Sequence, residues 1–425
     1  MAIMGETAVA STELETVRKD LPTLFDRTDT FYSTIDKKDV EKVSNIAMRV
    51  PIEIRPGGKP GHFNPEDGSL GLGAGPTFDK ATVTVQHLKY GVQWTKKAEW
   101  ATDDARKAVV NTARYLVAKA MAEFRRFLDT LCIGSAGNGV IGTVSSASWA
   151  GGVDTVVLGT DGFGAKLLRF AQDIAIMDAT LATNRTVGTD KEITYLDPPT
   201  KTIKYAQATS VLAVAGDKIV VGGLGNVTGT NVVSINGIPY HHSAATTGTW
   251  QGMDRALIPE IRGNAVNANS GQLSLSFVRR ALNQIGDRVG YENMKKVVAW
   301  MHPCQKQAYE ELGQQVSIIN KTAKEEGLDL FFGDSMQMAG APVKTHFGWD
   351  KTRIDFVASE VWGRAEMHPA DFYEVDGKKF FENRDTSTGA VKTSQMFYLT
   401  ISMQPFVTNP ALTSFIYALK VPTGY

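Results

Sequence analysis

Apolar and polar residues alternate in two stretches of the amino-terminal half of the chain, residues 46–55 (IAMRVPIEIR) and residues 81–94 (ATVTVQHLKYGVQW). Alternation with a period of two, together with β-branched and aromatic residues, predicts strands with one buried face. The run between the two stretches is rich in glycine and proline, which interrupt both helices and hydrogen-bonded ladders. The pattern therefore predicts a long β-hairpin whose legs are these stretches, with an extended loop at residues 57–76.

The pattern changes to a helical period between residues 95 and 131, where apolar residues return every three or four positions. Asp103 and Asp104 lie near the predicted amino-terminal end, where carboxylates interact favourably with the helix dipole. Gly134 and Gly137 follow the last periodic residue and predict the end of the helix. A helix of about 25 to 30 residues is about 37 to 45 Å long, so this helix is a main structural element of the fold.

The rest of the chain alternates strand-like and helix-like segments. Residues 153–160 predict a strand and residues 165–183 predict a helix, joined by an Asp-Gly-Phe-Gly turn. Short strands between turn residues predict an inserted β subdomain at about residues 188–232. Two further helices are predicted at residues 273–290 and 304–315. Further strands are predicted at residues 295–301, 341–348, 352–359, 393–410 and 411–421, with a hairpin around Asp376-Gly377.

Residues 1–43 are polar, with scattered apolar side chains and no sustained period. Such a segment cannot bury much surface against its own chain. We therefore expect an extended arm with at most a helical turn, which becomes ordered by docking on neighbouring molecules.

Composition excludes several classes of protein. The chain has 425 residues, 43% hydrophobic and 21% charged, which suits two domains with buried cores. Lys plus Arg and Asp plus Glu both number 45, so the chain lacks the basic excess of a dedicated nucleic-acid-binding protein. Cys132 and Cys304 match neither a disulfide framework nor a zinc spacing, which favours a reducing cytoplasm. The sequence predicts neither a signal peptide nor a membrane span.

No catalytic signature is present in the sequence. It lacks G-x-S-x-G, C-x-x-C and H-E-x-x-H motifs, and the glycines near residue 162 follow no nucleotide-binding pattern. The adjacent His241 and His242 would point to opposite sides of a strand, and would then not share a metal ion. His302-Pro303 is typical of a strand-to-helix junction, because proline suits the first helical turn. An unrecognised soluble enzyme is a remote alternative, and no catalytic, cofactor-binding or metal-ligating residue is assigned.

The order of segments resembles that of the HK97-fold major capsid proteins of tailed bacteriophages: an extended arm, a glycine-rich hairpin, a long helix, a mixed α/β region and long closing strands. The stretch VVAWMHPCQKQAYEELG, where a strand ends in Met-His-Pro and a helix begins, is similar to a segment of that family. TRIDFVASEVWGRAEMHPADFYEVDGKKFFENRD and FVTNPALTSFIYAL resemble its closing strands and carboxyl terminus. The resemblance covers nearly the whole chain.

The resemblance implies an α+β, HK97-like capsid fold without a catalytic centre or cofactor. The implied parts are an N-terminal arm (1–43), an extended loop (44–98), a peripheral domain with the spine helix (99–139 and 366–403), and an axial domain (140–365 and 404–425). Proteolytic removal of the short arm is not expected, so a scaffolding protein would be a separate chain.

The same resemblance implies partners and a location. The chain would assemble with itself as hexamers and pentamers into an icosahedral shell around phage double-stranded DNA. Other implied partners are the portal protein, separate scaffolding and decoration proteins, and packaged DNA held nonspecifically on the inner face. The expected location is the virion, after assembly in the host cytoplasm, with no membrane partner. An encapsulin-type compartment around an enzyme cargo, which has the same fold, is the alternative.

The loop at residues 57–76 is the candidate clamp on a neighbouring subunit, because extended arms add main-chain contacts to other chains. A surface loop without a partner is the alternative. The candidate intersubunit contacts in and beside the loop are Lys59, His62, Phe63, Glu66, Asp67, Asp79 and Lys80. For any single charged residue of this set, a solvated loop charge is an equally good interpretation.

Overall fold

The structure is a computed structural model of the chain. It describes residues 31–37, 41–42, 47–62, 65–66, 71–97, 112–159, 168–186, 190–207, 213–222, 227–228, 231–232, 234–294, 296–319, 337–384 and 389–424. These residues combine helices with a larger share of strands, so the α+β class expected from the sequence is confirmed.

The described helices are α1 (Thr112–Gly134), α2 (Ile238–His241), α3 (Leu275–Val289), α4 (Tyr291–Met294) and α5 (Pro303–Ile319). The strands of the amino-terminal half are β1 (Glu41–Lys42), β2 (Ala47–Arg55), β3 (Thr77–Thr84), β4 (Gln86–Thr95), β5 (Val140–Ala150), β6 (Val153–Leu158), β7 (Asp173–Met177), β8 (Lys191–Asp197) and β9 (Thr202–Ala206). The remaining strands are β10 (Lys218–Val221), β11 (Val227–Thr228), β12 (Asn231–Val232), β13 (Thr249–Trp250), β14 (Met253–Asp254), β15 (Asn264–Asn267), β16 (Val297–Met301), β17 (Gln337–Met338), β18 (Ala341–Thr345), β19 (Ile354–Ala358), β20 (Trp362–Phe372), β21 (Phe381–Arg384), β22 (Val391–Val407) and β23 (Ser414–Tyr417).

The chain divides into two compact units, each made of three separate stretches. The first unit comprises residues 1–34, 86–235 and 366–403, and the second comprises residues 35–85, 236–365 and 404–425. The partition into arm, extended loop, peripheral domain and axial domain stays a prediction.

The first unit contains a sheet built around the long strand β22. β4 pairs antiparallel with β22, and β20 and β21 pair with it on the opposite side. Helix α1 packs on β4, with the rings of Phe124 and Tyr90 6.1 Å apart. The buried side chains of α1 return every three or four positions, as the sequence predicted: Ala120, Phe124, Leu128 and Leu131.

The predicted end of this helix is confirmed, and helical residues begin one position after the predicted start at about Thr95. α1 ends at Gly134, as expected. Thr95 is the last residue of β4, because its main chain pairs with Ser394 of β22, and helical residues begin at Lys96. Asp103 and Asp104, predicted near the start of the helix, lie outside the described residues.

The first unit also contains a closed barrel with the strand order β10-β5-β6-β9-β8-β7. Its interior is filled by branched aliphatic side chains and by a buried pair in which Tyr205 Oη donates to Asp154 Oδ2 at 2.6 Å. The predicted helix at residues 165–183 is wrong: Asp173–Met177 is strand β7, pairing with β8 and β10. The sequence DIAIM is buried after its first residue, and its β-branched side chains fit a barrel wall.

The second unit contains a six-stranded sheet with the order β15-β23-β19-β16-β18-β17. Helix α3 packs on β15 and β23 through Val278, Ala281, Leu282 and Ile285. The strand-to-helix junction at His302-Pro303 is confirmed: β16 ends at Met301, α5 begins at Pro303, and His302 Nδ1 accepts the Cys304 N–H at 3.1 Å.

The second unit also holds the hairpin predicted from the alternating stretches. β2 pairs antiparallel with β3, from Ala47↔Thr84 to Arg55↔Thr77. The predicted second leg, residues 81–94, is divided: β3 ends at Thr84, and β4 pairs with β22 instead of β2. A strand-like pattern does not specify its partner, and β22 lies roughly three hundred residues further along the chain.

Candidate interaction surfaces

The β2–β3 hairpin is held at its base and at the neck of its loop. At the base, the Thr82 N–H donates to the Gln251 carbonyl at 2.7 Å. At the neck, the Gly58 N–H donates to the Ala74 carbonyl at 2.8 Å. A Cβ added to Gly57 would lie 2.6 Å from the nitrogen of Pro76, so the two arms of the loop touch there and glycine is required.

Burial is confined to the base of the hairpin. Ala81 and Val83 are buried, whereas the half of β3 next to the loop is exposed on both faces. Phe78 is 64% exposed and Leu72, in the loop, is 87% exposed. The short strand β1 pairs with β2 only at Met48 and Arg49, so the outer half of the hairpin has two strands. A two-stranded ribbon without a covering layer is marginally stable in water. Exposed large apolar side chains on such an element make it a candidate docking surface.

The structure places the charged candidate contacts on the surface of this hairpin. Lys59 and His62 lie in the exposed loop after β2, and Glu66 lies in an exposed turn. Asp79 and Lys80 are exposed neighbours on β3, so their side chains point to opposite faces. Phe63 and Asp67 lie outside the described residues. A role of these residues between subunits stays a prediction.

A second feature, buried in the same unit, was not found from the sequence. It is a polar centre around Asp355, which is 1% exposed on the buried strand β19. Arg353 Nη2 donates to Asp355 Oδ1 at 2.7 Å, and Trp349 Nε1 donates to Oδ2 at 3.0 Å. His242 Nδ1 lies 2.9 Å from Oδ1. The signal was present in IDFVA, since an aspartate inside an apolar strand requires buried partners.

His241 and His242 belong to a helix and its cap, so the condition of a strand at these residues is not met. His241 ends helix α2 and His242 caps it, and both side chains are fully buried. His241 Nε2–H donates a hydrogen bond to the Pro405 carbonyl at 3.2 Å, because a carbonyl can only accept. Nδ1 is then unprotonated and accepts from Trp250 Nε1 at 3.3 Å. If Nδ1 were protonated, its N–H would face the N–H of Trp250 Nε1, and neither group could accept the hydrogen bond of the other.

Electrostatics agrees with this geometry. Burial, assisted by neighbouring His242, lowers the pKa of His241 to about 3. Burial also lowers the pKa of His242, although its hydrogen bond to Asp355 acts in the opposite direction. Burial alone would raise the pKa of Asp355, but Arg353 and His242 lower it to about 2. The centre therefore holds one carboxylate and one guanidinium beside two neutral imidazoles at neutral pH.

This centre contains a histidine and a carboxylate, but solvent does not reach them. Both His242 and Asp355 are at most 1% exposed, so no substrate in solution reaches them. Within the described part of the chain, no group of three or more His, Cys, Asp or Glu residues could hold a metal ion. No described helix is long and apolar enough to cross a membrane. The polar centre is a structural feature of the second unit.

Comparisons by sequence find no match: no protein-family model and no curated protein matches this chain. Comparison by structure finds several. A chain of the cyanophage A-1(L) capsid asymmetric unit matches with a TM-score of 0.58 and 11% identity, over 98% of each chain. At this identity the likeness shows a shared fold, which covers nearly the whole of both chains. The fold resemblance expected from the sequence is therefore confirmed.

Two other matches are weaker. The capsid of the empty GTA particle gives a TM-score of 0.49 with 11% identity over 97% of each chain. The holo-SrpI encapsulin complex from Synechococcus elongatus PCC 7942 gives 0.48 with 9% identity, over 98% of this chain and 96% of the other. TM-scores below 0.5 do not distinguish between the two kinds of shell.

Proposed function

We propose that this chain is the major capsid protein of a tailed bacteriophage and assembles into the icosahedral head shell around double-stranded DNA. The fold shared with a chain of the cyanophage A-1(L) capsid supports this proposal. The observation that carries it is the β2–β3 hairpin, whose outer half exposes Phe78 and Leu72 to solvent. In a shell, a neighbouring subunit covers these side chains and removes apolar surface from water.

The hairpin provides two kinds of contact to a neighbour. Its apolar side chains contribute burial, and the exposed main chain of its loop forms hydrogen bonds that tolerate sequence variation. Lys59, His62, Glu66, Asp79 and Lys80 lie where they form ion pairs at the rim of that contact. Such pairs fix the register of two subunits more than they add affinity.

The finer features of the proposal follow from the fold family that the sequence resembles. They are an HK97-like organisation into arm, extended loop, peripheral and axial domains, and assembly as hexamers and pentamers. The proposed partners are the portal protein, separate scaffolding and decoration proteins, and nonspecifically held DNA, with assembly in the host cytoplasm. Equal numbers of basic and acidic residues, 45 each, keep repulsion between copies low.

Electron microscopy of the purified chain, expressed alone and with the genes that neighbour it, tests this function. Closed particles of uniform size are expected. Particles whose contents are DNA would establish a phage head, whereas particles that enclose a protein cargo would establish an encapsulin-type compartment instead. A chain that stays monomeric under every assembly condition would contradict both.

The hairpin is tested by deleting its loop. Because Gly57 and Pro76 touch, joining Gly57 directly to Pro76 removes residues 58–75 without distorting β2 and β3. We expect a soluble subunit with an unchanged thermal midpoint that fails to form closed shells. The matched control replaces residues 58–75 by a Gly/Ser linker of equal length. Normal shells from the deletion variant would contradict the role of the loop. Shells from the linker variant would show that the main chain of the loop, and not its side chains, makes the contact.

A further inference from the structure

The first unit contains a large groove that runs along strand β4. Its volume is about 1650 Å³, above the roughly 300–1,000 Å³ of typical small-molecule pockets. Two continuous stretches of chain line it, residues 87–93 of β4 and residues 168–173 before β7, together with residues of β20 and β22. Tyr115, Leu116 and Phe127 of α1 also line it. A site lined by seven consecutive residues of one strand fits an extended polypeptide.

Hydrogen bonding in the sheet determines which way the β4 main chain faces. The Tyr373 N–H donates to the Tyr398 carbonyl at 2.8 Å, so Tyr398 directs its main-chain groups away from β4. Gly91 lies directly opposite Tyr398 in the β4–β22 register. In an antiparallel pair, residues opposite each other either both face the partner or both face away. The Gly91 N–H and carbonyl therefore face away from β22, and Gly91 is among the residues that line the groove.

Alternation along a strand extends this result to its neighbours. The register between β4 and β22 is regular from Gln86 to Thr95, so His87, Lys89 and Gln93 have the same orientation as Gly91. Within the described part of the chain, no group accepts or donates a hydrogen bond to the main chain of these four residues. The groove thus exposes a row of main-chain donors and acceptors at the spacing of a β-ladder.

The ring of Tyr398 packs closely on the main chain of β4 at Gly91. A Cβ at Gly91 would lie 2.9 Å from Tyr398 Cε1, so the aromatic ring lies directly over the glycine. Lys89 is the charged residue that keeps this edge from pairing indiscriminately with other strands.

The stretch 168–173 that lines the groove is attached to α1. Arg169 Nη1 donates to the Glu123 carbonyl at 2.7 Å and to Glu123 Oε2 at 2.6 Å. Because Glu123 belongs to α1, this pair ties residues 168–173 to the helix.

The amino-terminal segment of the chain is tethered to the same helix. Tyr32 is buried, and its N–H donates to Asp129 Oδ1 of α1 at 2.7 Å. Residues 1–30, which lie outside the described residues, continue from this anchor. Asp129 and Tyr115 are roughly 21 Å apart along the helix axis, and thirty extended residues span about 100 Å. The tether therefore allows the segment to reach the groove.

We propose that part of residues 1–30 binds in this groove as an added strand, pairing with the outward main chain of His87, Lys89, Gly91 and Gln93. The tether at Tyr32 makes this segment the occupant, because it is held near the groove at a high effective concentration. The proposal goes beyond shell formation and applies to the unassembled chain. The donor segment comes from the same copy or from a second copy, and the experiment distinguishes these sources.

Residue-resolved hydrogen exchange compares the full unassembled chain with a variant lacking residues 1–30. We expect the amides of Lys89, Gly91 and Gln93 to exchange at least about tenfold faster in the variant. The amides of Leu88, Tyr90 and Val92, which face β22, should be unchanged and serve as the internal control. Equal acceleration of both sets would indicate general loosening, and no acceleration would show that the segment does not cover this edge; either result overturns the proposal.

Disulfide scanning provides a second test that keeps the chain at full length. A cysteine replaces Lys89, and single cysteines replace successive residues from 2 to 30. Native Cys132 and Cys304 are buried and do not compete for cross-linking. An added strand predicts cross-linking at every second position. Cross-linked monomers identify the same copy and cross-linked dimers a second copy. The control is a reference cysteine that replaces exposed Arg279. If cysteine 89 is cross-linked no faster than this reference, or at positions with helical spacing, strand addition is contradicted.

Discussion

Two regions of the second unit contain charged residues in opposite environments. In the β2–β3 hairpin, Arg55 Nε contacts Glu260 Oε1 at 2.8 Å, with both side chains exposed. In the polar centre, Arg353 contacts Asp355 at 2.7 Å, with the carboxylate 1% exposed. The two pairs have nearly equal lengths and very different consequences. Water already solvates the exposed pair, whereas the buried carboxylate depends on its partners for all its stabilisation.

The polar centre maintains the fold of the single chain, whereas the hairpin is available to other molecules. The polar centre has every acceptor of Asp355 engaged and no access from solvent. The hairpin has few internal contacts beyond its own ladder and exposes both polar and apolar groups. A change in the centre should therefore be detected in the stability of the single chain, and a change in the hairpin in association.

Asp355→Asn should have the largest effect. The substitution leaves Arg353 beside a neutral amide, so we expect the free energy of unfolding to fall by about 3–5 kcal/mol. Urea denaturation of the unassembled chain measures this change. Asp79→Asn, which removes an exposed carboxylate from the hairpin, is the matched control and should leave the midpoint unchanged. A loss below about 1 kcal/mol for Asp355→Asn would remove the distinction between the two regions.

The second-largest effect should come from acid, which should lower the free energy of unfolding through the polar centre. Because the folded pKa of His241 is about 3 and its ordinary value is 6.5, the unfolded chain takes up the proton first. The stability contributed by the neutral ring is present above pH 6.5 and is lost as the pH falls towards 3. The lowered pKa of His242 acts in the same direction. We expect a loss of several kcal/mol across this window.

Denaturant midpoints measured at intervals from pH 7.5 to 4 test this expectation. His62→Ala, which removes an exposed histidine from the hairpin loop, is the control and should leave the pH dependence unchanged. A stability that does not change between pH 7 and 5 in the parent chain would show that the two imidazoles are not held neutral by burial.

Leu72→Ser with Phe78→Ser should have a smaller effect on the single chain and a clear one on association. Both side chains are exposed, so we expect the thermal midpoint to stay within about 2 °C. The yield of closed particles should fall severalfold, as measured by sedimentation and electron microscopy. Val83→Ser, at the buried base of the same hairpin, is the contrasting control and should lower the midpoint. Unchanged particle yield would separate the hairpin from assembly.

Breaking the exposed pair should have the smallest effect. Arg55→Gln and Glu260→Gln, singly and together, are expected to leave the midpoint of the unassembled chain within experimental error. The reason is that exposed ion pairs gain little over their solvated separate charges. A measurable coupling between the two substitutions in a double-mutant cycle would show that this pair resembles the buried one after all.

Local patterns identified many elements correctly. Alternation in residues 46–55 predicted β2, and the period of residues 95–131 predicted the body of α1. The Asp376-Gly377 dipeptide predicted the hairpin turn, where both residues have positive φ and Val375 pairs with Lys378. These signals are local because each depends on side chains a few positions apart.

Other elements were decided by distant partners. Residues 173–177 carry a short apolar run that suits a helix or a strand equally, and pairing with β8 and β10 makes them a strand. The stretch 81–94 has one continuous pattern but serves two sheets, with the change at Val85. The candidate contact residues were found from their place in and beside the glycine-rich loop, whereas the groove along β4 required knowledge of which side of the strand is paired.

By itself, the sequence determined the fold class, the long helix, the exposed hairpin loop and the resemblance to capsid proteins. Periodicity, turn chemistry and segment order are encoded in neighbouring residues, so they can be read without a structure. Only the tertiary structure decided that Asp355 meets Arg353, His242 and Trp349, and that β4 leaves its outer edge unpaired in the described part of the chain. Burial and strand pairing join residues far apart in sequence, and their energies depend on the environment that the whole fold creates.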